Sequence, residues 1–320
     1  MASGGSDESM APGVLTVFDL ELLHHYTTST CYTLSQASAV QAVWRDKVPR
    51  LSFGMPPLLH TILAVAALHL ARSEPGREEQ CLAQAQRHYT IAISTVVPVM
   101  PLLASQHCGT LFVFSSMMCI VACARPPDSA NFLVLFEHGH ISEWIRLVRG
   151  IKAVLDLGSD EFTTGPLAPI FVNGAFLAAA RHDPSVLEQG RLYLWGVAKL
   201  VTKHCAHEPA LLAIYRDALD ELARTMAVVM KSDRQHLPPE PGLIFAWLLE
   251  VSDEYLNLLQ EGEPLALLIF AYFSIAIRQV EWIWWMEGLS DRLIAQLRST
   301  LHAHHPDWVP HLPSGDLYQI

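Results

Sequence analysis

From Phe18 to Ala303 the chain repeats one pattern. Apolar residues recur at i, i+3, i+4 and i+7 in stretches dominated by leucine and alanine. That period belongs to helices packed by one face. Strand signals are nearly absent, with few alternating β-branched runs. The pattern therefore predicts an all-α fold, a single large multi-helix domain with an apolar core or cavity between its helices. Residues 1–14 are polar and small, and are expected to form a disordered tail; residues 15–320 make the domain.

The predicted helices follow from caps and breakers. They are Phe18–Leu34, Ala37–Lys47 (ending before Pro49), Pro57–Ser73, Glu78–Val96 and Cys108–Ala124. Next comes Asn131–Asp156, with a break expected at Gly139, and then a loop, "DLGSDEFTTGPLAP". Helices resume at Pro184–Ala206, Pro209–Lys231, Gly242–Gln260, Pro264–Met286 and Ser290–Ala303. "RPPDS" and "HLPPEPG" are too short for interdomain linkers and read as tight helix connections.

Composition narrows the function. Half the residues, 51%, are hydrophobic and only 17% are charged, so most of the chain is expected to be packed core. The formal net charge is −11, with no run of Lys and Arg, so direct nucleic-acid binding by this chain is not expected. The six cysteines are scattered without a CxxC pair, which fits reduced buried thiols rather than a disulfide framework. No secretory signal is apparent, and no stretch reaches the roughly 18 apolar residues of a membrane span. The expected compartment is nucleus or cytoplasm.

Chemistry-bearing constellations are weak. His204 and His207 stand at i, i+3 in "KHCAHEP", but a zinc site needs three or four ligands, and a helix end closed by Pro209 explains them better. Asp217, Asp220 and Glu221 share a helix face, where flanking Arg216 and Arg224 suggest a salt-bridged surface rather than a magnesium site. Phosphate loops, dinucleotide fingerprints and nucleophile elbows are missing, so no catalytic residue, metal or cofactor is nominated. What remains is aromatic and sulfur-containing surface. Phe112, Met117, Trp247, Phe273, Trp282 and Trp285 are the candidates for a ligand pocket. In "QVEWIWWMEGLSDRL", helical register puts Trp282 and Trp285 on one surface and Trp284 on another, with Gly288 ending the helix or allowing close approach.

Four blocks carry a family resemblance: "DLELLHHYTTSTCYTLS", "VWRDKVPRLSFGMPPLLHTILAVAALHLA", "WIRLVRGIKAVL" and "EPLALLIFAYFSIAIRQVEWIWWMEG". In order and spacing they resemble the C-terminal regulatory domain of fungal binuclear-zinc-cluster transcription factors of the sterol-uptake-control type. The most specific parts are Leu22–Tyr26, Pro49–Leu70, Trp144–Ile151 and Pro264–Gly288. The resemblance implies an all-α ligand-sensing domain that binds an apolar molecule, sterol or terpenoid-like, and acts through protein partners or a homodimer. Transcription regulation, within secondary metabolism, is the implied role. The six-cysteine cluster of typical members does not occur in these residues. The alternative is a recruited enzyme or carrier acting on an apolar or prenylated metabolite in the same helical cavity.

Overall fold

In the computed structural model the described residues are 15–125, 136–137, 140–158, 160–234 and 240–313. The proposed tail, residues 1–14, lies outside them. The fold is all-α. Its one departure is a two-residue antiparallel pair, Phe136–Glu137 with His140–Ile141, among the described residues.

Three helices are apolar on every side and sit at the centre. Pro56–Ser73 starts on two prolines, whose missing N–H groups cost nothing in a first turn, and 13 of its 18 residues are buried. Cys108–Ala124 lies against it, and Pro264–Arg278 is buried without a gap from Leu265 to Ile277. No single helix among the described residues is long and apolar enough to cross a membrane. The bent pair Asp253–Gln260 and Pro264–Arg278 turns by 105° at its break. Amphipathic helices wrap the centre with their charged faces outward. Glu78–Val96 runs back along Pro56–Ser73, Glu143–Asp156 packs on Cys108–Ala124, and Pro209–Arg234 and Leu289–His304 flank Pro264–Arg278. The N-terminal and C-terminal halves meet where Glu143–Asp156 touches Pro241–Glu250.

Local chemistry explains the ends. Thr16 caps the first helix, Val17–Thr28, in a reciprocal box: its hydroxyl accepts from the Asp19 amide at 3.1 Å, and Asp19 accepts from the Thr16 amide at 2.8 Å. Asp19 is itself buried, and its other oxygen accepts from His88 at 2.9 Å. His88 in turn meets His60 through their Nδ1 atoms at 2.9 Å.

Several predicted elements differ. The predicted Ala37–Lys47 helix runs on through Pro49 to Ser52, because a wide π turn at Val43–Lys47 absorbs the missing amide. Of the predicted Asn131–Asp156 helix, Glu143–Asp156 is helical and residues 136–137 and 140–141 pair as strands, while residues 131–135 and the expected break at Gly139 lie outside the described residues. Pro184–Ala206 divides at Leu194. Gly242–Gln260 divides at Val251, where the Ser252 hydroxyl accepts from the Tyr255 amide at 3.2 Å and starts a new helix. Arg149 stabilises that break by donating to the carbonyls of Leu248, Leu249 and Val251 at 3.2, 3.0 and 3.0 Å. A helix that the sequence reading did not assign, Ala168–Arg181, follows the loop.

The largest correction concerns the tryptophans. The predicted Pro264–Met286 helix stops at Arg278, and residues 279–287 form successive i→i+3 turns. Gly288, at φ +69°, then caps Leu289–His304 in a left-handed conformation, so it opens a helix rather than closing one. Without the 3.6-residue register the three rings part company. Trp282 is 47% exposed and Trp285 only 3%. Trp284 donates to the Thr33 hydroxyl at 2.8 Å and lies 4.9 Å from the His69 ring.

Candidate functional site

A cavity of about 610 Å³ lies where the halves meet. That is within the 300–1,000 Å³ usual for small-molecule sites. Its wall is built from one face each of Cys108–Ala124, Glu143–Asp156, Ala168–Arg181 and Pro241–Glu250, with Val40 and Trp44 adding a side. Four phenylalanines shape it. Phe171 stacks on Phe162 at 4.1 Å and tilts against Phe112 at 4.7 Å, while Phe245 lies parallel to Trp285 at 6.1 Å. The phenylalanines are half-buried because they turn inward on space rather than on atoms.

Polar groups on the wall are few, and the strongest are already engaged. Glu240 accepts from the Ser35 hydroxyl at 3.1 Å and from the amides of Gln36 and Ala37 at 2.9 and 3.0 Å. It ties the segment before Ser38–Ala42 to the start of Pro241–Glu250. Arg181 is 1% exposed and donates through Nη2 to Glu221 at 3.0 Å. Burial lowers its pKa, opposed by Glu221 and Glu250. Its Nε has no partner, nor does the Trp285 Nε1. Leaving a buried donor unmet costs about 1–3 kcal/mol.

Residues 21–151 match the model of the fungal specific transcription factor domain. Over 146 residues the chain is 33% identical to afumD, a Zn(2)-C6 fungal-type transcription factor of Aspergillus fumigatus, covering 43% of this chain and 36% of the relative. A Zn(2)-C6 fungal-type transcription factor of Gibberella zeae is 22% identical over 306 residues, 91% of this chain and 60% of the relative. Sterol uptake control protein 2 of Saccharomyces cerevisiae is 41% identical over 68 residues, 21% of this chain and 7% of the relative. The matched stretches thus span less than two thirds of each relative's own length.

The segment matched by that family model supplies one side of the cavity, including Trp44, Phe112, Cys119 and Val148. The other side comes from later residues, including Phe162, Phe171, Phe245 and Trp285. Of the six residues nominated from sequence, Phe112 and Trp285 are on the wall. Met117, Trp247 and Phe273 are fully buried core. Trp247 donates to the Ala218 carbonyl at 2.9 Å and packs on Phe273 at 4.5 Å. Trp282 faces outward. Phe162, Phe171, Phe245 and Arg181 were missed. The available signal was "APIFVNGAFLAAAR", a helical period with proline in its first turn, hidden behind the Gly- and Pro-rich loop.

The acidic and histidine clusters do not reach the cavity. Asp220 pairs with Arg191 at 2.7 Å, and Asp217 and His207 are exposed. His204 lies 4.7 Å from the Trp308 ring. Glu221 stands behind the wall holding Arg181, so an enzyme using these groups inside the cavity fails in that form. Among the described residues no group of three His, Cys, Asp or Glu side chains could hold a metal ion. All six cysteines are buried free thiols.

Proposed function

We propose that this chain is the ligand-sensing regulatory part of a transcription regulator, with a sterol or terpenoid-like molecule held in the cavity. The observation that carries the reading is the position of the cavity. The family-matched segment builds one wall and the remainder of the chain builds the other. A molecule filling it would bind both halves and favour one arrangement of them, which is what a sensor requires. The mostly aliphatic and aromatic wall suits an apolar ligand. Two relatives are named for sterol uptake control, and others as Zn(2)-C6 transcription factors. The acidic charge of −11 favours action through protein partners or a second copy over DNA contact by this chain. Nuclear residence and target genes in secondary metabolism complete the reading.

The test is a titration of the purified chain with a panel of sterols and terpenoids, read by tryptophan fluorescence and thermal shift. At least one member is expected to change both signals, and Phe171→Glu, which puts a charge on the wall, is expected to weaken that binding at least tenfold. A flat response across the whole panel sinks the ligand part. Absence of the tagged protein from nuclei under every growth condition sinks the regulatory part.

A further inference from the structure

Resting on the ligand reading, we infer that the middle of Ala168–Arg181 is the gate through which the cavity fills, opening at Asn173–Gly174 while both ends of the helix stay fixed. Phe171, Gly174, Ala178 and Arg181 share one helical face and border the cavity. Phe176 and Ala179 are not on the wall and are exposed, Phe176 by 71%. One helix therefore separates the cavity from solvent here. Other wall helices are held by several buried residues each. Trp144, Ile145, Val148 and Val154 hold Glu143–Asp156, and Ile244, Trp247 and Leu248 hold Pro241–Glu250. Of the 14 residues in Ala168–Arg181, Arg181 alone is buried. Its ends are nevertheless fixed. Leu167, just before it, is 4% exposed, and Arg181 donates to the Glu221 carboxylate at 3.0 Å. The helix is a strap, fastened at two points and unburied between them. Local opening is easiest where few apolar side chains are buried.

The strap is weakest at its centre. Gly174 lies midway between Leu167 and Arg181, directly after Asn173, and both central residues border the cavity. Glycine and asparagine are poor residues for a helix interior. Packing does not demand this glycine. A Cβ built on Gly174 meets no atom within 4 Å, and its φ is not positive. Alanine would fit there and hold the helix better, so the weak point belongs to the strap and is not a by-product of close approach. Gly150, in Glu143–Asp156, is equally free of neighbours, but buried Val148 and Val154 on either side keep that helix in place. Aromatic contacts latch the closed strap. Phe171 stacks on Phe162 at 4.1 Å and leans on Phe112 at 4.7 Å. Unwinding at Asn173–Gly174 frees Phe171 from these rings, and rewinding restores them over an occupant.

The test joins amide hydrogen exchange of the full chain to the stopped-flow kinetics of Nile red, a neutral apolar dye that brightens on leaving water. Dye held in the cavity is identified by its loss in Phe171→Glu. Amides of Ala168–Arg181 are expected to exchange about tenfold or more faster than those of Cys108–Ala124 and Pro241–Glu250. Gly174→Ala is expected to slow that exchange, and both dye entry and dye release, by about fivefold, the factor set by the helix preference of alanine over glycine. Because both rates fall together, affinity is expected to stay within about twofold. Ala175→Gly is expected to move the rates the other way. Gly150→Ala, the same exchange of residues on a packed helix, is expected to leave them unchanged. Strap amides as protected as those of the other two helices overturn the inference, and so do dye rates that Gly174→Ala does not slow. Failure of Nile red to enter also overturns it, since the strap would then open onto nothing. A flat sterol and terpenoid panel beside gated dye entry removes the proposed ligand and leaves the gate. A sterol response beside ungated entry does the reverse.

Discussion

His60 shows how burial converts an ordinary side chain into a pH dependence. Burial, helped by the neighbouring His88 and Arg87 charges, pushes its pKa down to about 4. His69 is likewise lowered to about 4 by burial, with His25 and Arg72 adding to it. Burial pushes the Asp19 carboxyl up, but the Thr16 amide and the His88 ring outweigh that and hold it below the usual range. In the unfolded chain the imidazoles take up protons near pH 6.5, and in the folded chain near 4. Between those values the unfolded state binds more protons, so stability is full above about pH 6.5 and is lost as the pH falls toward 4. His60 alone is worth up to about 3 kcal/mol over that window. Denaturant unfolding at pH 7.5 and pH 4.5 checks this, and a midpoint that does not fall at the lower pH contradicts it. At the same scale the sequence marked aromatic residues as pocket candidates but could not sort them, and one of them, Trp282, is 47% exposed. Phe273 and Phe171 are both apolar residues on helices; one is walled in by Trp247 and Phe270, the other borders open space.

Elements were legible where one helix carries its own start and stop. Glu78–Val96 and Cys108–Ala124 have the boundaries their sequences predict. They were illegible where a distant residue decides. Arg149 lies about a hundred positions from the carbonyls it collects, and nothing local to Gly242–Gln260 announces the break it supports. Tryptophan crowding after Arg278 likewise reads as helix until packing draws Trp284 to Thr33 and His69 and Trp285 to Phe245, with Trp282 left facing outward. Helix contact supplies a sharp prediction. A Cβ on Gly190, in Pro184–Tyr193, would stand 1.8 Å from the backbone oxygen of Ala223 in Pro209–Arg234. Backbone cannot yield there as a side-chain tip would. Gly190→Ala is therefore expected to destabilise by about 1–3 kcal/mol, the usual range for an overpacked core, as measured by denaturant midpoint. A variant as stable as the parent would mean the two helices do not meet this closely.

For the whole molecule, the family-matched segment is not a self-sufficient body. Trp144, wholly buried in the Glu143–Asp156 helix, lies 6.4 Å from Phe245, and that helix packs on Pro241–Glu250. Residues 21–151 expressed alone would expose that face, and are expected to melt without a cooperative transition or to aggregate. Calorimetry of the fragment beside the full chain decides it, and a sharp two-state melt of the fragment would refute the dependence. Ligand should act at the same scale. A molecule bridging both walls stabilises the full chain by about 2.7 kcal/mol at a hundredfold excess over its dissociation constant. By itself the sequence determined that the chain is helical, that its centre is hydrocarbon, and which family it resembles. Those properties follow from periodicity and local composition, which each segment carries alone. Only the tertiary structure decided that a cavity exists, that Trp285 borders it while Trp282 faces outward, and that Arg181 sits on its wall. Each of those depends on which face of one helix meets which face of another, and residues far apart in the chain make that choice together.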